Sequence, residues 1–213
     1  MGKKAVKVVR DPEIIKILAD PVRREILRFT SARPWTETQI ARKLNLSKPS
    51  VGYHLQVLLK AGLIRVANVR VSQYGILEKY YEPTATLFLE DPDSVPSDLR
   101  RYFIHRYIER LRGMLSVFYA LGCIGEDCEI DPEDLEELAK DLARHIVKIG
   151  EKYESVEVDV GRESLFIKVC GEALKSVMAE DKWGAFFKPI KVPLESAGSS
   201  AKHSLNHETM PVF

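Results

Sequence analysis

Cysteine is scarce in this sequence: Cys123, Cys128 and Cys170 are the three among 213 residues. That is too few for a disulfide scaffold, so a reducing, cytoplasmic setting is expected. Apolar residues never run to roughly 18 in a row, so no membrane-spanning helix and no membrane partner are expected. The opening stretch MGKKAVKVVRDPE lacks the greasy centre of a secretory leader. Side-chain amides are rare as well, with three Gln and three Asn against many Lys, Arg and Glu, a bias of heat-adapted proteins. Catalytic signatures are missing too. There is no Ser-His-Asp spacing, no phosphate-cradling glycine loop and no paired zinc motif, so neither an enzyme nor a cofactor is indicated.

What is present is a core and an asymmetry. Apolar residues make up 45% and charged residues 30%, enough for packed interiors. Residues 1–90 carry 16 Lys+Arg and 8 Asp+Glu, a balance of +8; of the totals 32 and 31 this leaves 16 and 23 for the rest, or −7. A basic first half joined to an acidic second half suggests that only the first half faces a polyanion.

The stretch from Thr36 to Ile64, TETQIARKLNLSKPSVGYHLQVLLKAGLI, reads as two helices joined by a short turn. Thr36 is a good N-cap, and Ile40, Ala41 and Leu44 recur at helical spacing. Asn45 breaks the helix and Leu46 turns inward. Ser47 caps the second helix, with Pro49 in its first turn. Val51, Leu55, Leu58 and Leu59 form one apolar stripe, and Gly62 supplies a left-handed stop. The opposite face holds Lys48, Ser50, Gly52, Tyr53, His54, Gln56 and Lys60, with no carboxylate among them. Such a face suits a groove of duplex DNA.

Two helices precede this hairpin, announced by Asp11-Pro12 and Asp20-Pro21. Residues 3–10 read as an edge strand or a flexible arm. After Gly62 the period changes: residues 63–71 and 76–81 read as two strands joined by Ser72-Gln73-Tyr74-Gly75. A β-hairpin directly after a recognition helix is a wing, with Arg65, Asn68, Arg70, Gln73 and Lys79 as its polar candidates.

These segments carry a resemblance. Residues 11–84, through ADPVRREILRFT, the hairpin above and EKYYEPT, resemble the winged helix-turn-helix of ArsR-like (arsenical-resistance repressor) regulators. The resemblance implies a dimeric, sequence-specific regulator of transcription that reads the major groove with the helix starting at Ser47. The chain departs from the metal-sensing members, because TETQIARKL contains no cysteine. Asp98, His105 and Glu109 lie on a later helix, where His105 and Glu109 stand one turn apart, but the rest of a metal set is missing.

Beyond the wing, Leu87, Phe88 and Leu89 read as a short buried strand or helix. Residues 97–121 read as a long helix with more apolar surface than a small winged domain can hide; it is a core helix of the second domain, a helix that packs on its symmetry mate, or both, and a homodimer through it is expected. Cys123 and Cys128 have C-x4-C spacing and are either a redox pair, half of a metal site or two unrelated thiols; Glu126, Asp127 and Glu129 disfavour a reactive thiolate. Asp131-Pro132 opens a further helix. SVEVDV and SLFIKVC then read as a β-hairpin ended by Gly171, with a short helix after it in which Trp183, Phe186 and Phe187 serve as pocket or core. The tail from Pro193 is rich in small polar residues and is expected to be mobile. His203 and His207 stand alone within it.

The expected fold is therefore α+β, mostly α. A winged helix-turn-helix domain (1–90) is followed by a long connecting helix and a small helix–hairpin–helix unit (91–192), which serves for dimerisation and as the place for a small-molecule or redox effector. Contacts to double-stranded DNA are assigned to Ser47, Lys48, Ser50, Tyr53, His54 and Gln56 on the helix and to Arg65, Arg70 and Lys79 on the wing. The alternative is a winged-helix module that binds protein and not DNA.

Overall fold

Each of the first four helices starts where local chemistry demands it. In the computed structural model, which describes residues 3–72, 75–121, 130–156 and 161–187, α1 (Pro12–Ala19) and α2 (Pro21–Ala32) begin with proline behind an aspartate. The Asp11 and Asp20 carboxylates accept hydrogen bonds from the backbone N–H groups of Glu13 and Arg23. β2 (Trp35–Thr36) leads into α3 (Glu37–Leu44), and α4 (Lys48–Lys60) follows after a turn. Asn45 takes the left-handed conformation there, φ 52°, and ends α3.

β3 (Ile64–Val71) and β4 (Leu77–Pro83) form the antiparallel wing, with β2 on the far edge of β4 in the order β2-β4-β3. A bulge falls where Val66 pairs with Tyr81 and Asn68 with Tyr80. The turn residues Gln73 and Tyr74 lie outside the described residues.

Of the two expectations for the N-terminal stretch, the edge strand holds and the flexible arm does not. β1 (Lys4–Val9) pairs in parallel with β5 (Ala85–Glu90), Val6 opposite Leu87 and Val8 opposite Leu89. Ala5, Val6, Val8 and Val9 are all buried, as a parallel strand covered on both faces requires. The outer edge of β1 is occupied: Ala5 N–H donates to the Val156 carbonyl at 3.0 Å and Val8 N–H to the Glu154 carboxylate at 2.7 Å. The pairing of residues 4–9 with 85–90 is non-local, and alternating valines alone do not announce it.

α5 (Arg100–Ala120) follows a 3-10 turn over 92–94 and packs on α6 (Pro132–Glu151) through Phe103, Tyr107 and Leu111. α6 also lies directly on the β1–β5 ribbon. A Cβ added at Gly150 would collide with the Leu89 side chain and stand 3.4 Å from Val6. The buried apolar side chains of the winged region, the ribbon and the C-terminal helices form one continuous cluster. Among the described residues no helix is long and apolar enough to cross a membrane.

The C-terminal unit departs from the expected helix–hairpin–helix. SLFIKVC is not a strand; it lies inside α7 (Arg162–Met178), and Gly171 sits within that helix. Leu165, Val169, Ala173 and Val177 recur every four residues and are buried, whereas Ile167, which an alternating strand would bury beside Leu165 and Val169, is 69% exposed. The longer helical period therefore wins over the short β-branched run. Residues 157–160 of the other expected strand lie outside the described residues, as do Cys123, Cys128 and the tail from Pro193. α8 (Asp181–Phe187) closes the described chain, and Trp183 and Phe187 are core. The Trp183 indole N–H donates to Asp141 on α6 at 3.0 Å.

Candidate nucleic-acid interface

α3 and α4 are held as a unit by caps and a shared interior. The Thr36 hydroxyl accepts from Gln39 N–H at 3.2 Å, and the Gln39 side-chain carbonyl accepts from Thr36 N–H at 3.0 Å. This reciprocal box satisfies two otherwise free donors. The Ser47 hydroxyl accepts from Ser50 N–H at 3.3 Å. Ile40, Ala41, Val51, Leu55 and Leu58 are buried between the helices and the wing. Gly52 allows close approach, since a Cβ there would stand 3.3 Å from Glu37 Oε1.

The outer face of α4 is open. Ser47, Lys48, Tyr53, Gln56 and Lys60 are exposed, with Tyr53 at 62%, and Ser50 is half-buried. Tyr53 is thus a large aromatic held in solvent among cations and hydroxyls. His54 departs from this face. Its side chain is 14% exposed and turned toward the start of α2, where Nδ1 lies 4.0 Å from Asp20 Oδ1. That distance is too long for a hydrogen bond. The Tyr53 and His54 rings meet edge-on at 5.6 Å, so His54 is a support beneath Tyr53.

The wing residues divide as well. Arg65 is committed to Glu82, with Nε 2.8 Å from the carboxylate. Arg70 is exposed, with its guanidinium 5.1 Å from the centroid of the Tyr80 ring on β4. Lys79 is exposed on β4. A groove of about 700 Å³ runs between α3, α4 and the wing and brings together Lys48, Gln56 and Lys79 with Thr38, Glu37 and Glu78. Glu37 and Thr38 were not among the sequence candidates. Their signal is position: both stand in the first turn of α3, one helix away from the recognition surface. The Glu37 carboxylate also adds to the burial that raises the Tyr81 hydroxyl above its ordinary value.

A further feature of the wing is apolar. Val69, Val71, Ile76 and Leu77 are 50%, 66%, 63% and 70% exposed. Cys170 is buried in α7, and burial pushes its thiol above the usual range. Among the described residues no group of three His, Cys, Asp or Glu side chains comes together to hold a metal.

Comparison with known proteins bears on this surface. Over 51 residues the chain is 39% identical to the transcriptional repressor SdpR of Bacillus subtilis (strain 168). The aligned part is 24% of this chain and 57% of that repressor, so the chain spans little more than half the length of the curated relative it matches. Residues 18–67, from the end of α1 through α4 into the wing, match the family described as "Helix-turn-helix domain". In keeping with the ArsR-like resemblance of its sequence, the segment 18–67 is a helix-turn-helix domain.

Proposed function

We propose that this chain is a DNA-binding regulator of transcription that acts as a homodimer, with α4 in the major groove and the β3–β4 wing on the backbone or in the minor groove. The observation that carries this reading is the outer face of α4: open, with no carboxylate of its own, and set in a helix-turn-helix domain. The similarity to a transcriptional repressor supports it. Gln56 takes the base-reading role, because its amide can pair with both edge groups of adenine. Ser47, Ser50 and Tyr53 lie beside it, Lys48 meets phosphate, and His54 holds Tyr53 from below. Arg70 and Lys79 add charge from the wing, whereas Arg65 braces it through Glu82.

Residues 1–90 serve as the DNA-binding unit and 91–192 as the unit for dimerisation and effector response. The homodimer is assigned to α5. Its described end leaves Val117, Tyr119 and Leu121 exposed at 57%, 56% and 69%, apolar surface that a symmetry mate would cover. Gel shifts on genomic fragments at graded salt test the reading. Lys48→Ala and Arg70→Ala are each expected to flatten the slope of log affinity against log salt by about 0.9. Unchanged slopes, or no retardation of any fragment in dilute buffer, reject it.

A second reading is a winged module that docks on protein, and the exposed apolar wing tip favours it. Under it, Val71→Ser with Leu77→Ser abolishes partner capture, and Gln56→Ala has no effect on any duplex.

A further inference from the structure

We propose that the cavity enclosed by α2, β5, α5 and α7 binds a small multivalent oxyanion. The cavity measures about 210 Å³, and five arginines line it, Arg24, Arg28, Arg106, Arg110 and Arg162, against one carboxylate, Glu90. Two of the five are already matched: Arg28 by Glu25 at 2.7 Å and Arg162 by Glu163 at 2.6 Å. Arg24, Arg106 and Arg110 then share Glu90, which leaves about two positive charges uncompensated.

The geometry points the same way. Arg106 Nη1 lies 3.7 Å from Glu90 Oε1, an ion-pair distance too long for a hydrogen bond, and this buried atom donates to no partner among the described residues. A buried charged donor without an acceptor is costly, and an oxyanion would supply one. The Arg110 guanidinium lies over the Phe166 ring, 5.2 Å from its centroid. Arg24 donates to the Tyr102 hydroxyl at 3.2 Å. Burial and the charge of Arg106 push the Arg24 guanidinium below its ordinary value, with Glu90 opposing. Three guanidinium forks crowded in this way repel one another until an anion joins them.

Size narrows the ligand. At about 210 Å³ the cavity lies below the usual range of nucleotide-sized pockets. A diphosphate, a short phosphate ester or a dicarboxylate fits, and arginine forks suit both phosphoryl and carboxylate oxygens. This site stands apart from the α4 surface and does not depend on whether the chain binds DNA.

Isothermal titration of the full chain with inorganic pyrophosphate and with malonate, at matched ionic strength, tests the proposal. One molecule of at least one of them is expected to bind per chain, and the tighter of the two identifies a phosphoryl or a carboxylate source. Arg106→Gln and Arg110→Gln should each weaken that binding by roughly tenfold or more. Arg112→Gln, which removes the same charge from the exposed side of α5, should retain it. If Arg106→Gln does not fold, Arg110→Gln carries the test. Three outcomes overturn the proposal: no binding of either anion, binding unchanged in Arg110→Gln, or heats that sodium chloride alone reproduces.

Discussion

Glycines separate what space allows from what the backbone allows. At Gly150 a Cβ would collide with Leu89, so Gly150→Ala is expected to cost about 1–3 kcal/mol by overpacking. Gly113, inside α5, has nothing within 4 Å of its would-be Cβ, so Gly113→Ala should stabilise by about 0.5–1 kcal/mol through helix propensity. Urea titrations followed by circular dichroism read both: the midpoints should move in opposite directions with unchanged slope. Equal shifts would mean that α6 does not lie against the ribbon. On the recognition surface the matching test is Gln56→Ala. If Gln56 reads a base, its loss should cost about 1–3 kcal/mol on the preferred duplex and relax the preference at one base pair, with the salt slope unchanged. A uniform loss on all sequences would remove Gln56 from the reading role.

At the scale of elements, local chemistry was legible and distant pairing was not. Asp11, Asp20, Thr36, Ser47 and Asp131 each cap the helix that the sequence assigns to them, because a cap involves only three or four neighbouring residues. The wing follows the same logic, its strands adjacent in the chain. The partner of β1 lies some eighty residues away, and no short-range pattern names it. In α7 the run from Ser164 to Cys170 satisfies the strand period over seven residues, and only the following turns, with Ala173 and Val177, reveal the helix. The site divided likewise. The open face of α4 was readable from its missing carboxylates, but the inward turn of His54 and the Arg65–Glu82 pair depend on tertiary neighbours. The α6–α8 junction carries a pH prediction of its own. Although burial opposes it, hydrogen bonds from Trp183 and Lys182 hold the Asp141 carboxyl below its usual value. A carboxylate depressed on folding stabilises above its unfolded pKa, and that gain is lost as pH falls through the folded value. Asp141→Ala, which strands the buried Trp183 N–H, should therefore lose about 1–3 kcal/mol at neutral pH and less in acid. A stability difference that stays constant between neutral and acidic buffers would contradict this.

Over the whole molecule, β1 decides whether the two halves act as one body. β1 pairs with β5 at the end of the winged region, yet its other neighbours are Gly150 on α6 and the Glu154 and Val156 groups that follow it. A strand clamped between both halves couples their unfolding, because neither can open without exposing Val6, Val8 and Leu89. The chain contains two tryptophans, and they report on opposite ends: Trp35 begins β2 beside α3, and Trp183 lies in α8. With excitation selective for tryptophan, Trp183→Phe leaves the indole at the winged end as the single tryptophan reporter, and Trp35→Phe leaves the one at the C-terminal end. In each variant the fluorescence midpoint in urea should coincide with that of far-ultraviolet circular dichroism, as all-or-none unfolding requires. Adding Val6→Ala, whose wild-type side chain is fully buried, should lower the midpoint by a similar amount in both backgrounds, reflecting a stability loss of about 1–3 kcal/mol from a cavity between sheet and helix. Were the Trp183 signal alone to move, β1 would belong energetically to the C-terminal helices, and the winged domain would unfold independently of them.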